Sequence, residues 1–114
     1  MPLYEQHCIT DSLPHLLTKD QIESLLIEVS QWKINHDGKS IIRKFKFIDY
    51  YQTLKFINSV ANIINQENHH PDINFGYNTC TISFSTHSAG GITLFDIICA
   101  AHIDKLFSTA DYNV

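Results

Sequence analysis

Within the stretch TCTISFST (residues 79–86), apolar and polar side chains alternate from Thr79 to Ser85, and this most narrows what the chain can fold into. Period-two alternation sets Cys80, Ile82 and Phe84 on one face and Thr79, Thr81, Ser83 and Ser85 on the other. That is the pattern of a strand with one dry and one wet face. Upstream, Ile73 and Phe75 belong to a shorter partner strand, folded back by a turn centred on Tyr77-Asn78. In this register Ile73 faces Ile82 and Phe75 faces Cys80, whereas a one-residue slip would set Ile73 against a polar position. The expected turn is a two-residue type I′, for which Tyr-Asn is a weaker pair than Asn-Gly.

The period changes on either side of this hairpin. TKDQIESLLIEVS opens with Thr18 as N-cap and Gln21 three residues on, a capping box, and continues with Ile22, Leu25, Leu26 and Val29 at helical spacing. QWKINHDGKSIIRKFKF is expected to form a first hairpin, with Asp37-Gly38 supplying positive φ at the turn. Its second strand points Ile41, Phe45 and Phe47 one way and Lys44 and Lys46 the other. Arg43 shares the apolar parity, so it needs an edge or a partner. From Asp49 to about Asn65 a helix is expected with Tyr50, Leu54, Ile57, Ala61 and Ile64 as its apolar row, flanked by Phe56, Val60 and Ile63. A last helix spans TLFDIICAAHIDKLF, with Thr93 as N-cap and Asp96 at the third position. Residues 1–17 show no period, and Pro2 and Pro14 interrupt them. The order α-β-β-α-β-β-α implies an α+β fold, one four-stranded antiparallel sheet with helices packed on one face.

A chain of 114 residues suits one domain, here residues 1–114 with a core at about 14–107. A formal charge of -4 argues against direct nucleic-acid binding, which needs a clustered basic surface. Asp96 breaks the longest apolar run, so no membrane span is expected. The opening MPLYEQHCITD has neither a basic start nor a long apolar run, and the three cysteines show no CxxC spacing. These features lead us to expect a cytoplasmic protein with reduced thiols.

The residues that carry chemistry are histidines. Extending the hairpin register sets His69 opposite Thr86 and His70 opposite Ser85, with His87 one step further along. Directly opposed residues have Cβ atoms about 4.5–5.5 Å apart, so three imidazoles converge at the open end of the hairpin. Consecutive strand residues point to opposite faces, which makes joint metal chelation by His69 and His70 awkward, and no HExxH or Cys/His ligand spacing is present. Imidazole exchanges protons near neutral pH, so acid/base work such as adding or eliminating water suits the trio. Surface or helix-capping histidines are the plain alternative. His7, His15, His36 and His102 lie outside the group and read as incidental.

The segment ENHHPDINFGYNTCTISFSTHSAGGITLFDIICAAHID resembles the pterin-4a-carbinolamine dehydratase family. The carrying pattern is His-His-Pro, Tyr-Asn, an alternating strand ending in Thr-His, and a turn into a helix with an early Asp. LTKDQIESLLIEVSQW and FKFIDYYQTLKFINSVANI resemble the family's first helix and its Phe-x-Phe strand running into a long helix. The resemblance covers roughly residues 14–107. Asn65 departs from it, standing where relatives often carry an acid, with Glu67 as a partial substitute.

The resemblance implies dehydration of 4a-hydroxytetrahydrobiopterin, left by aromatic amino-acid hydroxylases, to quinonoid dihydropterin. The implied catalytic residues are His69 as general acid and His70 and His87 as bases. Implied pterin contacts are His69, His70, Pro71, Thr86, His87, Ser88 and Ala89, with Asp96 either a site acid or only a helix cap. No metal and no cofactor are implied, the pterin being the substrate. The partners implied are a second copy of the chain, as homodimer or homotetramer, and a functional link to a hydroxylase. A non-catalytic protein-binding or dimerisation module is the competing reading.

Overall fold

The computed structural model describes residues 1–8, 14–110 and 112. Its elements are α1 (Lys19–Leu26), β1 (Lys33–Ile34), β2 (Ile41–Lys46), α2 (Tyr50–Glu67), β3 (Asp72–Phe75), β4 (Thr79–Phe84) and α3 (Leu94–Thr109), with short 3-10 turns at Leu3–Glu5 and His87–Ala89. The four strands form one antiparallel sheet in the order β1-β2-β4-β3. Its central pair puts Ile41, Phe45, Cys80, Ile82 and Phe84 on the buried face and leaves Lys44 and Lys46 in solvent. Ile73 pairs with Ile82 and Phe75 with Cys80, the register that period two dictates.

The expected capping box forms at α1, and the expected Thr93 cap of α3 is a capping box as well. The Thr18 hydroxyl accepts from the Gln21 N–H at 3.2 Å while the Gln21 side chain accepts from the Thr18 N–H at 2.9 Å. At α3 the Asp96 carboxylate accepts from the Thr93 N–H at 2.8 Å, completing the reciprocal cap. Each such cap contributes about 0.5–2 kcal/mol to its helix. Arg43 does have a partner: its guanidinium donates to Asp104 at 2.6 Å and lies over the rings of Phe45 and Phe107. The same Asp104 oxygen accepts from Trp32 Nε1 at 2.7 Å. Burial pushes the Asp104 carboxyl above the ordinary carboxylate range, and the bonds to Trp32 and Arg43 only partly offset it.

Three local expectations are corrected. Neither turn is of type I′: among the described residues only Asn68, Gly38 and Gly90 have positive φ, so Asp37, Tyr77 and Asn78 do not. In the first hairpin the pairing Ile34↔Ile41 leaves a longer loop, where the Asp37 carboxylate accepts from the Lys39 N–H at 2.9 Å. The second turn is held from outside, because Tyr77 O accepts from the Thr53 hydroxyl and Asn78 O accepts from the Phe47 N–H. On α2 the buried stripe is Thr53, Phe56, Val60, Ile64 and Glu67, while Tyr50 is 45% exposed. Tyr50, Leu54, Ile57 and Ala61 lie one residue off that stripe, about 100° round the helix. The N-terminal segment also packs more tightly than an aperiodic sequence suggests: Leu3 is buried and Cys8 lies against the core. Residues 9–13 lie outside the described residues.

Candidate active site

Asn68 closes α2 in the left-handed conformation, at φ 51 and ψ 42. Asparagine tolerates this conformation better than most residues. The chain thus turns sharply just before His69. His69 and His70 occupy the short link between α2 and β3, and Pro71 leads into the first strand residue, where a missing N–H costs nothing.

The regular ladder stops at Asp72↔Ser83, so His69 and His70 do not continue the register as expected. Thr86 instead pairs with Gly91, whose carbonyl accepts from the Thr86 N–H at 2.8 Å. The His87–Ala89 turn lies within this small closure, with Gly90 at φ 80. A Cβ on Gly91 would lie 2.9 Å from the Leu16 side chain, so only glycine fits there without a shift.

Freed from the ladder, His69 turns inward. Its ring stacks on Phe84 at 5.9 Å between centroids with a 7° interplanar angle, and meets the edge of Phe95 at 6.0 Å. Its Nε2 lies 2.6 Å from Asp96 Oδ1, with side-chain exposures of 13% and 0%. A carboxylate only accepts, so Nε2 carries the hydrogen and donates it. The second Asp96 oxygen accepts from the Thr86 hydroxyl at 2.9 Å and from the Thr93 N–H at 2.8 Å. The carboxylate that caps α3 therefore also orients His69, and Thr86 anchors the carboxylate. Nδ1 is left as the ring atom facing away from this network.

His70 and His87 are exposed, and their side chains make no hydrogen bond among the described residues. His87 borders an open groove of about 430 Å³ with Asp72, Ser83, Ser85 and Gly90, on the polar side of the hairpin. Ser88 is exposed, Pro71 and Ala89 are half-buried, and Thr86 and Asp96 are buried. Of the residues singled out by sequence, direct contacts link His69, Thr86 and Asp96, while His70 and His87 carry free imidazoles at the same end of the hairpin.

One cluster was not foreseen. Glu67 is 2% exposed and accepts from His7 Nδ1 at 2.7 Å and from the Cys8 N–H at 2.7 Å, with His102 Nε2 at 3.9 Å. Both its oxygens are thus engaged away from His69, so it does not replace the acid missing at Asn65. The readable signal was Glu67 itself, a charged residue in step with Val60 and Ile64 on the buried stripe. Nearby, the Cys8 and Cys99 sulfurs lie 3.7 Å apart.

The second hairpin of this α+β sheet thus opens on a histidine–carboxylate pair, with two solvent-facing imidazoles beside it. The family model described as pterin 4 alpha carbinolamine dehydratase matches residues 15–106, and the chain belongs to this family. A Legionella pneumophila (strain Corby) protein, provisionally named pterin-4-alpha-carbinolamine dehydratase, is 42% identical over 106 residues, covering 91% of this chain and 94% of its own length. A Nitrosospira multiformis relative with the same provisional name is 46% identical over 91 residues, covering 80% and 79%. A solved structure from Brucella melitensis, titled transcriptional coactivator/pterin dehydratase, superposes with TM-score 0.75 at 28% identity over 79% of this chain and 96% of that one. A pterin dehydratase-like protein, titled a RuBisCO assembly factor of the alpha-carboxysome, superposes with TM-score 0.59 at 25% identity, over 70% and 93%. Among the described residues, no helix is long and apolar enough to cross a membrane.

Proposed function

We propose that the chain is a 4a-hydroxytetrahydrobiopterin dehydratase that uses His69 as general acid and His70 and His87 as bases. In the reaction the C4a–O bond breaks, N5 loses its proton and a C4a=N5 double bond forms. The departing hydroxyl takes up a proton and leaves as water, so no electron acceptor is consumed. The observation that carries the reading is the part-buried His69–Asp96 bond, which fixes the ring's orientation with Nε2 as the donor. An imidazole held in one orientation is suited to passing a proton to the leaving hydroxyl. His70 and His87, exposed and unbonded, are suited to accepting the N5 proton, one for each face of the pterin. His69, His70, Pro71, His87, Ser88 and Ala89 would border the substrate, while Thr86 and Asp96 act through His69. The activity would serve tetrahydrobiopterin recycling beside an aromatic amino-acid hydroxylase.

The test is ultraviolet absorbance after mixing with freshly generated 4a-hydroxytetrahydropterin. Wild type should exceed the spontaneous rate, and the His70→Ala/His87→Ala variant should lose about 10²–10⁴-fold of the catalysed component. Equal inertness of the two proteins would sink the enzyme reading. A protein-binding role is the second reading, favoured by the two relatives whose titles name a coactivator and an assembly factor. Self-association fits the open β3 edge, where Phe75 is 47% and Tyr77 65% exposed. Light scattering that returned only a monomer would count against the dimer or tetramer.

A further inference from the structure

The cluster of His7, Glu67 and His102 lies outside the dehydratase residues, and its geometry points to a further function. We propose that these three side chains form a site for one divalent transition-metal ion of the zinc class, which fastens the N-terminal segment to α2 and α3. Two imidazoles and a carboxylate present ligand atoms that all lie within 4.8 Å of one another. The His7 Nδ1 and His102 Nε2 nitrogens stand 2.7 Å and 3.9 Å from the same Glu67 oxygen. Zinc bound at about 2.0–2.1 Å in a tetrahedron separates neighbouring donors by about 3.3 Å, between those two distances. Small side-chain shifts would convert the cluster into a three-ligand site with a fourth position open to water.

The surroundings suit an ion. The other Glu67 oxygen is fixed by the Cys8 N–H at 2.7 Å, the kind of outer bond that orients a ligating carboxylate. Burial alone would raise the Glu67 carboxyl, but the Cys8 N–H and the two imidazoles outweigh it and hold the group below its ordinary range. A buried anion faced by two imidazoles is an N₂O donor set, which selects zinc-class ions over magnesium or calcium. His102 Nε2 now donates to the Gln6 carbonyl at 2.7 Å and His7 Nδ1 to Glu67 at 2.7 Å. Taking up an ion therefore moves the proton of His102 to Nδ1 and that of His7 to Nε2. The ligands come from three segments, and Glu67 stands two residues before His69. The ion would therefore brace the turn from which the candidate active site hangs.

The experiment strips the full chain with chelator and titrates it with Zn²⁺ by calorimetry, then with Co²⁺ by visible absorption. The expected result is one equivalent bound, tetrahedral Co²⁺ bands, and a Tm raised by Zn²⁺ but not by Mg²⁺. His7→Ala removes a side chain that is 56% exposed and is expected to leave the fold intact, which an unchanged Tm without metal checks. It should weaken binding by more than the roughly 10–100-fold that loss of an outer-shell partner costs, and His102→Ala should do the same. His70→Ala/His87→Ala should bind as wild type. Absence of saturable binding would overturn the proposal. So would binding that survives His7→Ala and His102→Ala, which would place the ion on the Cys8 and Cys99 thiols, or binding lost in the His70/His87 variant.

Discussion

His69 Nε2 donates to Asp96 Oδ1 across 2.6 Å, joining residues 27 apart in sequence, and the carboxylate that receives this hydrogen also begins α3. One side chain thus performs two tasks, so replacing it by alanine would confuse them. Asparagine separates them.

In Asp96→Asn the amide oxygen stays on the Thr93 N–H, which has no other way to be satisfied, and the NH₂ group turns to His69. The ring must then accept through Nε2 and carry its hydrogen on Nδ1. Nitrogen NMR of His69 should record this tautomer change, with kcat reduced about 10²-fold or more and the helix still capped. An unchanged tautomer would show that Asp96 serves α3 alone.

Asn68 sets the direction of the two histidines through its left-handed backbone. Asn68→Gly should leave stability within about 0.5 kcal/mol, since glycine adopts this conformation freely. Asn68→Val should cost about 1–2 kcal/mol and reduce turnover by misplacing His69. Chemical denaturation beside the kinetic assay compares the two. A valine variant with full stability would refute the assigned role.

Trp32 is 2% exposed, and its indole donates to Asp104, whose oxygen also receives Arg43. Trp32→Phe should cost about 1–3 kcal/mol by removing one donor from a part-buried carboxylate. Its expected effect on the dehydratase rate is nil, because none of these contacts involves His69, His70 or His87. A stable variant with low turnover would move Trp32 into the site.

Burial pushes the Cys80 thiol from 9.0 up to about 11. The unfolded chain gives up this proton near pH 9 while the folded chain keeps it. The contribution is therefore complete below pH 9 and is lost as pH rises toward 11, at about 1.4 kcal/mol per pH unit. Between about pH 8 and 10.5, wild type should lose about 2 kcal/mol more than Cys80→Ala in urea denaturation. Parallel losses in both proteins would contradict this assignment.

The fold was largely legible in the sequence because its determinants are short-range. Alternation from Thr79 to Phe84 needs only neighbouring residues, and the boxes at Thr18 and Thr93 need only the next turn. The register of Ile73 on Ile82 followed because a one-residue slip would have set Ile73 against a polar position. The resemblance pointed to His69, His70 and His87. The extrapolated register also set His69 beside Thr86, though in the structure they meet through Asp96 rather than across a ladder. The turn types and the α2 stripe were misread because outside contacts decide them: Thr53 and Phe47 hold the Tyr77-Asn78 carbonyls, and the sheet selects Phe56 and Val60.

By itself, the sequence determined the order of elements, the strand pairing and the helix starts, all written in patterns a few residues long. Only the tertiary structure decided that His69 points at Asp96 and that His7 and His102 meet at Glu67. Those contacts join residues 27, 60 and 35 positions apart, and they depend on how α3 packs beside α2 and on where the N-terminal segment docks. Local patterns say which face of an element is apolar; they do not say which polar groups meet when those faces close.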